Sequence, residues 1–411
     1  MAGGNKNKII NDPVYGFLAV PSPLIYDVIQ HPYFQRLRRI RQLGLTELVY
    51  PGATHTRFHH ALGALNLMVK ALDVLKQKGV EITEQETEAA CLGILLHDIG
   101  HGPYSHTLEH SLIKGVSHET ISTLLMARLN HEMEGKLDLA IRIFNGQYPE
   151  KPFLGQLISG QLDMDRLDYL SRDSFYTGVS EGIVGADRII HMLNVSKGQL
   201  VVEEKGIYSV EKFLVARRLM YWQVYLHKTV IAADELLISI LQRARFLASQ
   251  GHYLGSYHPL VHFLGREIDR DKFDEESLNL FVLLDDYDIM TAVKSWQFHE
   301  DPVLARLASA MLYRQLPKIQ VQNEPVPHTV VESLRSRAKQ LFGLETTGDA
   351  EYFVRAGVLM NHAYISEGGG IWICRKDGTL VDVAEASDNY NLSALKKTVT
   401  RYFVTYWAET Q

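Results

Sequence analysis

The sequence has two cysteines, Cys91 and Cys374, in 411 residues. Two thiols so far apart exclude a disulfide-stapled scaffold and fit a reducing compartment. No stretch approaches the roughly 18 consecutive apolar residues that mark a membrane-spanning helix. Met1 to Ile10 holds no apolar core of a secretory signal. The expected location is the cytoplasm. Positive charge is also in short supply: 42 Lys and Arg against 48 Asp and Glu leave a formal charge of −6. Chains that work on nucleic acid usually carry a basic excess or a basic stripe, and neither stands out here. The densest basic stretch, Arg36, Arg38, Arg39 and Arg41, is interleaved with Leu37, Ile40 and Leu43. It reads equally as a helix with a solvated cationic edge or as one facing an anion. There is no internal repeat, low-complexity tract or heptad run.

What remains is ordinary globular composition, 46% hydrophobic and 22% charged, with length for about two or three domains. Histidine is the informative residue. There are 18, and ten of them lie between His31 and His131. Imidazole supplies metal ligands and acid–base groups near neutral pH.

Most of the chain reads as helix. Leu62, Leu65, Val69, Leu72 and Leu75 recur at helical spacing from Ala61 to Lys78, and Gly79 ends the pattern. Thr83 with Glu86 predicts a capping box that opens the next helix. That helix runs into His97-Asp98, where Gly100, Gly102 and Pro103 break it. Helical patterns resume at Glu119–Asn130, Leu154–Arg172, Val184–Leu193 and Val210–Gln250. Gln199–Glu203 and Gly206–Val210, flanking Glu204-Lys205, predict a short β-hairpin. The character changes after a boundary near Glu324 to Pro327. Val358–Tyr364, Gly370–Arg375 and Leu380–Ala384 read as strands, Asp377-Gly378 as a turn, and Leu392 to about Trp407 as a closing helix. The expected architecture is mainly α: a helical bundle over 1–325 with a small C-terminal α/β subdomain over 326–411.

Four segments carry chemistry: Thr56-Arg57-Phe58-His59-His60, the run from His97 to His106, Ser117-His118-Glu119, and Asp163 to Asp173. His97 and Asp98 close a helix whose preceding residues are apolar. Two ionisable neighbours there cost free energy unless they are paired or metal-bound. Imidazole and carboxylate together suit a divalent ion of borderline or hard character. A bare His-Asp pair is weak evidence, because a buried histidine bonded to a carboxylate is commoner. His60 upstream, Asp165 downstream and the HDxGHGPxSH run around the pair change that balance.

The order H…HD…D, with RFxH ahead of it and DxDRxDYxxRD behind it, resembles the HD-domain metal phosphohydrolases. More narrowly it is similar to their deoxynucleoside triphosphate triphosphohydrolase branch. Phe34-Gln35-Arg36-Leu37-Arg38, Gln42-Leu43-Gly44, Pro51-Gly52-Ala53 and Tyr225-Leu226-His227-Lys228 match further, so the resemblance covers roughly residues 10 to 240. It implies an HD-domain helical bundle. It implies one divalent ion (Mn, Fe, Mg, Zn, Co or Ni) held by His60, His97, Asp98 and Asp165. His101 and His118, with Glu119 orienting His118, would be the acid–base groups. His106 would sit beside the phosphates, and Arg57 and Arg166 would hold the triphosphate. Gln42, Tyr169, Asp173 and Tyr225 would line the sugar and base pocket, with Arg217 adding a phosphate contact. The implied reaction is hydrolysis of a dNTP to deoxynucleoside and inorganic triphosphate, by a homodimer or tetramer. Two positions depart from the pattern: His59 stands where Glu is frequent, and Arg166 where a mammalian member has Lys. The other readings are an HD phosphohydrolase of a nucleoside monophosphate or guanosine alarmone, and a nucleotide sensor without turnover.

Overall fold

The computed structural model describes residues 8–107, 113–255, 257–361, 364, 369–388 and 398–408. Six helices frame the centre of the chain: α1 (Arg57–Gln77), α2 (Glu84–Leu96), α3 (His118–Glu132), α4 (Met164–Thr177), α5 (Ile207–Met220) and α6 (Lys228–Ser249). The fold is mainly α, as expected. α1 is the central post, packed against both α2 and α4. Its inward residues, among them Ala61, Leu65, Leu72 and Leu75, are buried.

Local chemistry sets the helix ends. Thr83 Oγ1 accepts from the Glu86 amide at 3.2 Å while Glu86 Oε2 accepts from the Thr83 amide at 2.8 Å, the capping box anticipated for α2. At the start of α1 the His59 Nδ1 accepts from the Thr56 amide at 3.2 Å. His59 therefore makes the back-bond that a glutamate makes at the third position of a capping box. Asp163 caps α4, its Oδ1 accepting from the Arg166 amide at 2.7 Å. The pattern from Leu154 to Arg172 is two helices, Pro152–Ile158 and α4, broken at Ser159. The pattern from Val210 to Gln250 is also interrupted. Tyr221–Tyr225 winds as a π-helical turn between α5 and α6.

The strands differ from expectation in two places. Gln199–Glu203 (β4) is a strand, but its partner is Leu193–Ser196 (β3), not Gly206–Val210. Lys197 and Gly198 turn the hairpin with φ of 53° and 78°, the left-handed pair that matches strand twist. Residues from Ile207 belong to α5. In the closing segment 389–397 lie outside the described residues, and Val399–Tyr406 (β9) is a strand rather than a helix. Its alternating Val, Tyr, Phe and Thr suit a half-buried sheet better than a helix. β9 is the middle strand of three, between Lys318–Gln322 (β5) and Arg355–Asn361 (β6). Trp372–Cys374 (β7) pairs parallel with β4 and antiparallel with Leu380–Asp382 (β8). Ile9–Asp12 (β1) and Gly16–Ala19 (β2) form a separate hairpin.

Two glycines set the spacing around the centre. A Cβ on Gly63 of α1 would lie 2.0 Å from both Arg172 Nη2 and Asp168 Oδ1. A Cβ on Gly100 would lie 2.2 Å from the His118 carbonyl oxygen. Glycine at these positions lets α4 and the start of α3 close onto the histidine-bearing segments.

Candidate active site

A cleft of about 490 Å³ opens among α1, the loop after α2, α4, the π turn and α6. That volume is in the range of small-molecule sites. Gln42, Arg57, Asp98, His101, His118, Asp165, Arg166, Tyr169, Asp173 and Tyr225 all line it. Two other sequence candidates, Glu119 and Arg217, are outside the lining. Glu119 is exposed, its Oε1 3.9 Å from His118 Nε2. Arg217 is buried beyond the lining, over the Tyr221 ring and 3.5 Å from Gln161 Oε1. The side chain of His106 lies outside the described residues.

At the floor His60, His97 and Asp165 converge. His60 Nε2 is 3.1 Å from Asp165 Oδ1 and 3.3 Å from His97 Nε2. Asp98 joins them, Oδ2 lying 3.7 Å from His60 Nε2 and Oδ1 3.4 Å from His97 Nε2. The remaining ring nitrogens are committed. His60 Nδ1 is 2.7 Å from Asp168 Oδ2, and His97 Nδ1 is 2.6 Å from the Ile94 carbonyl. Those acceptors take the Nδ1–H protons and leave each Nε2 lone pair for a cation. Two imidazoles and the Asp165 carboxylate on one point, with Asp98 alongside, fit a divalent metal ion. The electrostatics agree. Burial alone would depress His60, yet the Asp165 and Asp168 carboxylates push it up to about 10. Burial would raise Asp165, but His60 and His97 hold it far below the carboxylate range. A divalent cation would take the place of the positive charge that these carboxylates attract.

Behind the floor runs a chain that the sequence did not assign. Arg172 donates to Asp168 from Nε at 2.9 Å and Nη2 at 3.0 Å, and to Asp12 from Nη1 at 2.8 Å. Asp168 lies three residues after Asp165 and Arg172 four further on, the spacing that stacks side chains on one helix face. That spacing was the available signal.

The wall beside the floor carries the cations. His101 and His118 stack with ring centroids 3.8 Å apart. Burial, then the Arg57 charge, hold His101 well below its ordinary value, so its ring is neutral. His101 Nε2 is 3.3 Å from Asp98 Oδ1, and Asp98, His101 and His118 form a second trio of potential ligands. Arg57 binds Asp98 through Nη1 and Ser105 Oγ through Nε at 2.8 Å. Tyr104 and Ser105 hold left-handed φ of 52° and 49°, a strain that non-glycine residues adopt where the surroundings impose it. Arg166 Nε donates to the Gly160 carbonyl at 2.5 Å. The basic stretch ahead of α1 divides: Arg38 and Arg39 are exposed on a short helical turn, a solvated cationic edge, while Arg36 turns inward. Arg36 is buried and donates to the His101 carbonyl at 2.8 Å and the Leu284 carbonyl at 2.8 Å. Arg39 pairs with Asp285 and Arg41 with Glu47.

The opposite wall is built to accept hydrogen bonds. Gln42 Oε1 is buried with no partner among the described residues. Asp173 is held on both oxygens, 2.7 Å from His55 Nε2 and 2.8 Å from the Tyr225 hydroxyl. His55, which had no motif partner in the sequence, stacks on Tyr176 at 4.4 Å. Asp234 of α6 also faces the cleft and accepts from Thr107 Oγ1 at 3.0 Å, and burial raises its carboxyl to about 7. An adjacent Asp234-Glu235 pair inside a helical pattern carries no motif of its own.

Comparison with known proteins gives the family. The HD domain model matches residues 57–173, and the HD associated region matches 184–245. The chain belongs to the HD-domain phosphohydrolase superfamily and is a hydrolase of that class. The crystal structure of a phosphohydrolase from Bacteroides thetaiotaomicron is 51% identical, with a TM-score of 0.95 over 98% of this chain and 100% of that one. An uncharacterized protein of Bacillus subtilis, YwfO, is 35% identical over 76% of this chain and 71% of its own length. The deoxynucleoside triphosphate triphosphohydrolase SAMHD1 homolog of Dictyostelium discoideum is 32% identical over 54% of this chain and 46% of its own. The chain thus spans about half the length of that relative. Among the described residues no helix is long and apolar enough to cross a membrane.

Proposed function

We propose that this protein is a metal-dependent dNTP triphosphohydrolase, releasing deoxynucleoside and inorganic triphosphate. The observation that carries the reading is one cleft with two unlike walls. Ion donors, Arg57, Arg166 and the His101–His118 stack stand on one side, and the unpaired Gln42 acceptor with the Asp173–Tyr225 pair on the other. A triphosphate ester of a nucleoside has the same polarity, anionic at one end and rich in hydroxyl and N–H donors at the other.

His60, His97, Asp98 and Asp165 would hold the divalent ion, which when bound supplies charge neutralisation and acidifies water. Arg166 neutralises the phosphates, a task suited to a guanidinium that stays charged at every relevant pH. Arg57, tied to Asp98 and Ser105, orients Asp98 and adds positive field. His118, stacked on the neutral His101, delivers a proton to the leaving oxygen. Gln42 Oε1 and the Asp173–Tyr225 pair accept from and align the sugar hydroxyl. The likeness to a triphosphohydrolase relative supports the substrate class.

Incubation of the purified protein with each of the four dNTPs and Mn, Mg, Fe or Co, followed by chromatography, tests this. The expected products are deoxynucleoside and triphosphate. Monophosphate with pyrophosphate, or turnover of another phosphoester alone, overturns it.

A further inference from the structure

Four aspartates line the cleft, and three are accounted for. Asp98 and Asp165 face the ion donors, and Asp173 is bound by His55 and Tyr225. Asp234 is different. Among the described residues its one hydrogen bond is from Thr107 Oγ1, and it makes no ion pair with any cation of the cleft. Its surroundings are specific. Gly44, at a φ of 51°, brings the backbone close, so that a Cβ there would lie 3.5 Å from Thr107 Oγ1. Gln42, two residues earlier, contributes the buried acceptor that has no partner among the described residues. Leu43, Leu226 and Val230 complete this part of the lining with apolar surface. The region therefore presents acceptors and hydrocarbon.

A polyphosphate brings only negative charge and acceptors, so it cannot satisfy this region. An apolar ring with N–H groups on its edge can. We propose that Asp234 reads the nucleobase, its carboxylate accepting the adjacent N1–H and exocyclic amino protons of guanine, so that the cleft prefers guanine nucleotides. This assignment rests on the nucleotide reading above. Two parallel N–H donors to one carboxylate is the arrangement that makes bidentate pairs selective. Adenine and cytosine set a ring acceptor beside their amino group, opposite a carboxylate oxygen. Thymine sets its single N–H between two carbonyls. Each loses one of the two donors and gains a repulsive contact, and negative elements of that kind produce specificity.

The test is kcat/KM for dGTP, dATP, dCTP, dTTP and deoxyinosine triphosphate, which lacks the exocyclic amino group. The wild-type protein should favour dGTP over dTTP by about 10–100-fold, the size of one bidentate base contact. Deoxyinosine triphosphate should fall between them. Asp234→Asn, which keeps an oxygen for Thr107, should retain its thermal midpoint and lose most of the preference through a higher KM for dGTP. Equal use of all bases by the wild type, or an unchanged preference in Asp234→Asn, overturns the assignment and leaves the nucleotide reading intact. Hydrolysis of none of the five overturns both. Should Asp234→Asn fail to fold, the wild-type comparison of dGTP with deoxyinosine triphosphate decides, equality refuting the proposal.

Discussion

Replacing Asp168 with alanine strikes the ion site without touching an ion donor. In the native protein its carboxylate lies 2.7 Å from His60 Nδ1 and takes Arg172 Nε and Nη2 at 2.9 and 3.0 Å. All three side chains are inaccessible to solvent. The substitution leaves the Arg172 guanidinium buried with Asp12 alone, 2.8 Å away. Stripping one partner from a buried ion pair costs about 3–5 kcal/mol, and the surviving Asp12 contact puts the expected loss near the lower end. His60 also loses the acceptor that sets its tautomer, which for metal-ligating histidines costs about 10–100-fold in metal affinity. Urea denaturation in the presence of chelator measures the first effect, and competition titration with Mn measures the second. Asp168→Asn keeps a carbonyl oxygen for His60 Nδ1, so it should recover much of the metal affinity but not the charge pairing with Arg172. An alanine variant that unfolds at the same urea concentration and binds Mn as tightly as the native protein would refute the reasoning.

Arg166→Ala should raise KM for dNTPs by about 10–100-fold, the worth of a hydrogen bond to a charged group. The far-ultraviolet dichroism should be unchanged, and an unaltered KM would remove Arg166 from substrate binding. His101→Ala and His118→Ala should each keep bound metal and lose about 10²–10⁴-fold in kcat, the usual effect of deleting an acid–base group. Near-normal kcat with intact stability would exclude that histidine. Glu86, remote from the cleft, accepts from Lys151, Tyr148 and the Thr83 amide. Burial would raise its carboxyl, but these three partners hold it near 2. The stability that it contributes is therefore complete above the ordinary glutamate value of about 4.3 and disappears as pH falls toward 2. Glu86→Gln should cost about 1–3 kcal/mol at pH 7 and nothing near pH 2, with activity at pH 7 preserved. A pH-independent difference in denaturation midpoint would contradict the assignment.

The parts of the molecule that were readable in sequence are those in which local chemistry and tertiary demand coincide. The Thr83–Glu86 box needs only four residues, and the apolar spacing of α1 matches the face that it buries. His60, His97, Asp98 and Asp165 come together across 105 positions because their motifs sit at helix ends that all face one point. The unreadable parts depend on contacts distant in sequence. Gly206 reads as the start of a strand, yet a Cβ there would lie 2.6 Å from Val202 and 2.8 Å from Met192, and Gly206 precedes the first residue of α5 close against its own hairpin. β9 gains its hydrogen bonds from β5 and β6, some 80 and 40 residues earlier in the chain. The π turn that carries Tyr221 and Tyr225 into the cleft has no composition of its own. Arg36 reads as a surface cation because its partners are three carbonyls, at Ile99, His101 and Leu284, that no side-chain pattern announces.

The central claim is that His60, His97, Asp98 and Asp165 form one ion site that the reaction requires. Elemental analysis of the native protein beside Asp165→Ala, each assayed for dNTP turnover, tests it most directly. About one divalent transition metal per chain is expected in the native protein, with metal and activity lost together in the variant. Two ions per chain would make His101 and His118 ligands rather than acid–base groups. Full activity in protein stripped of metal would contradict the account.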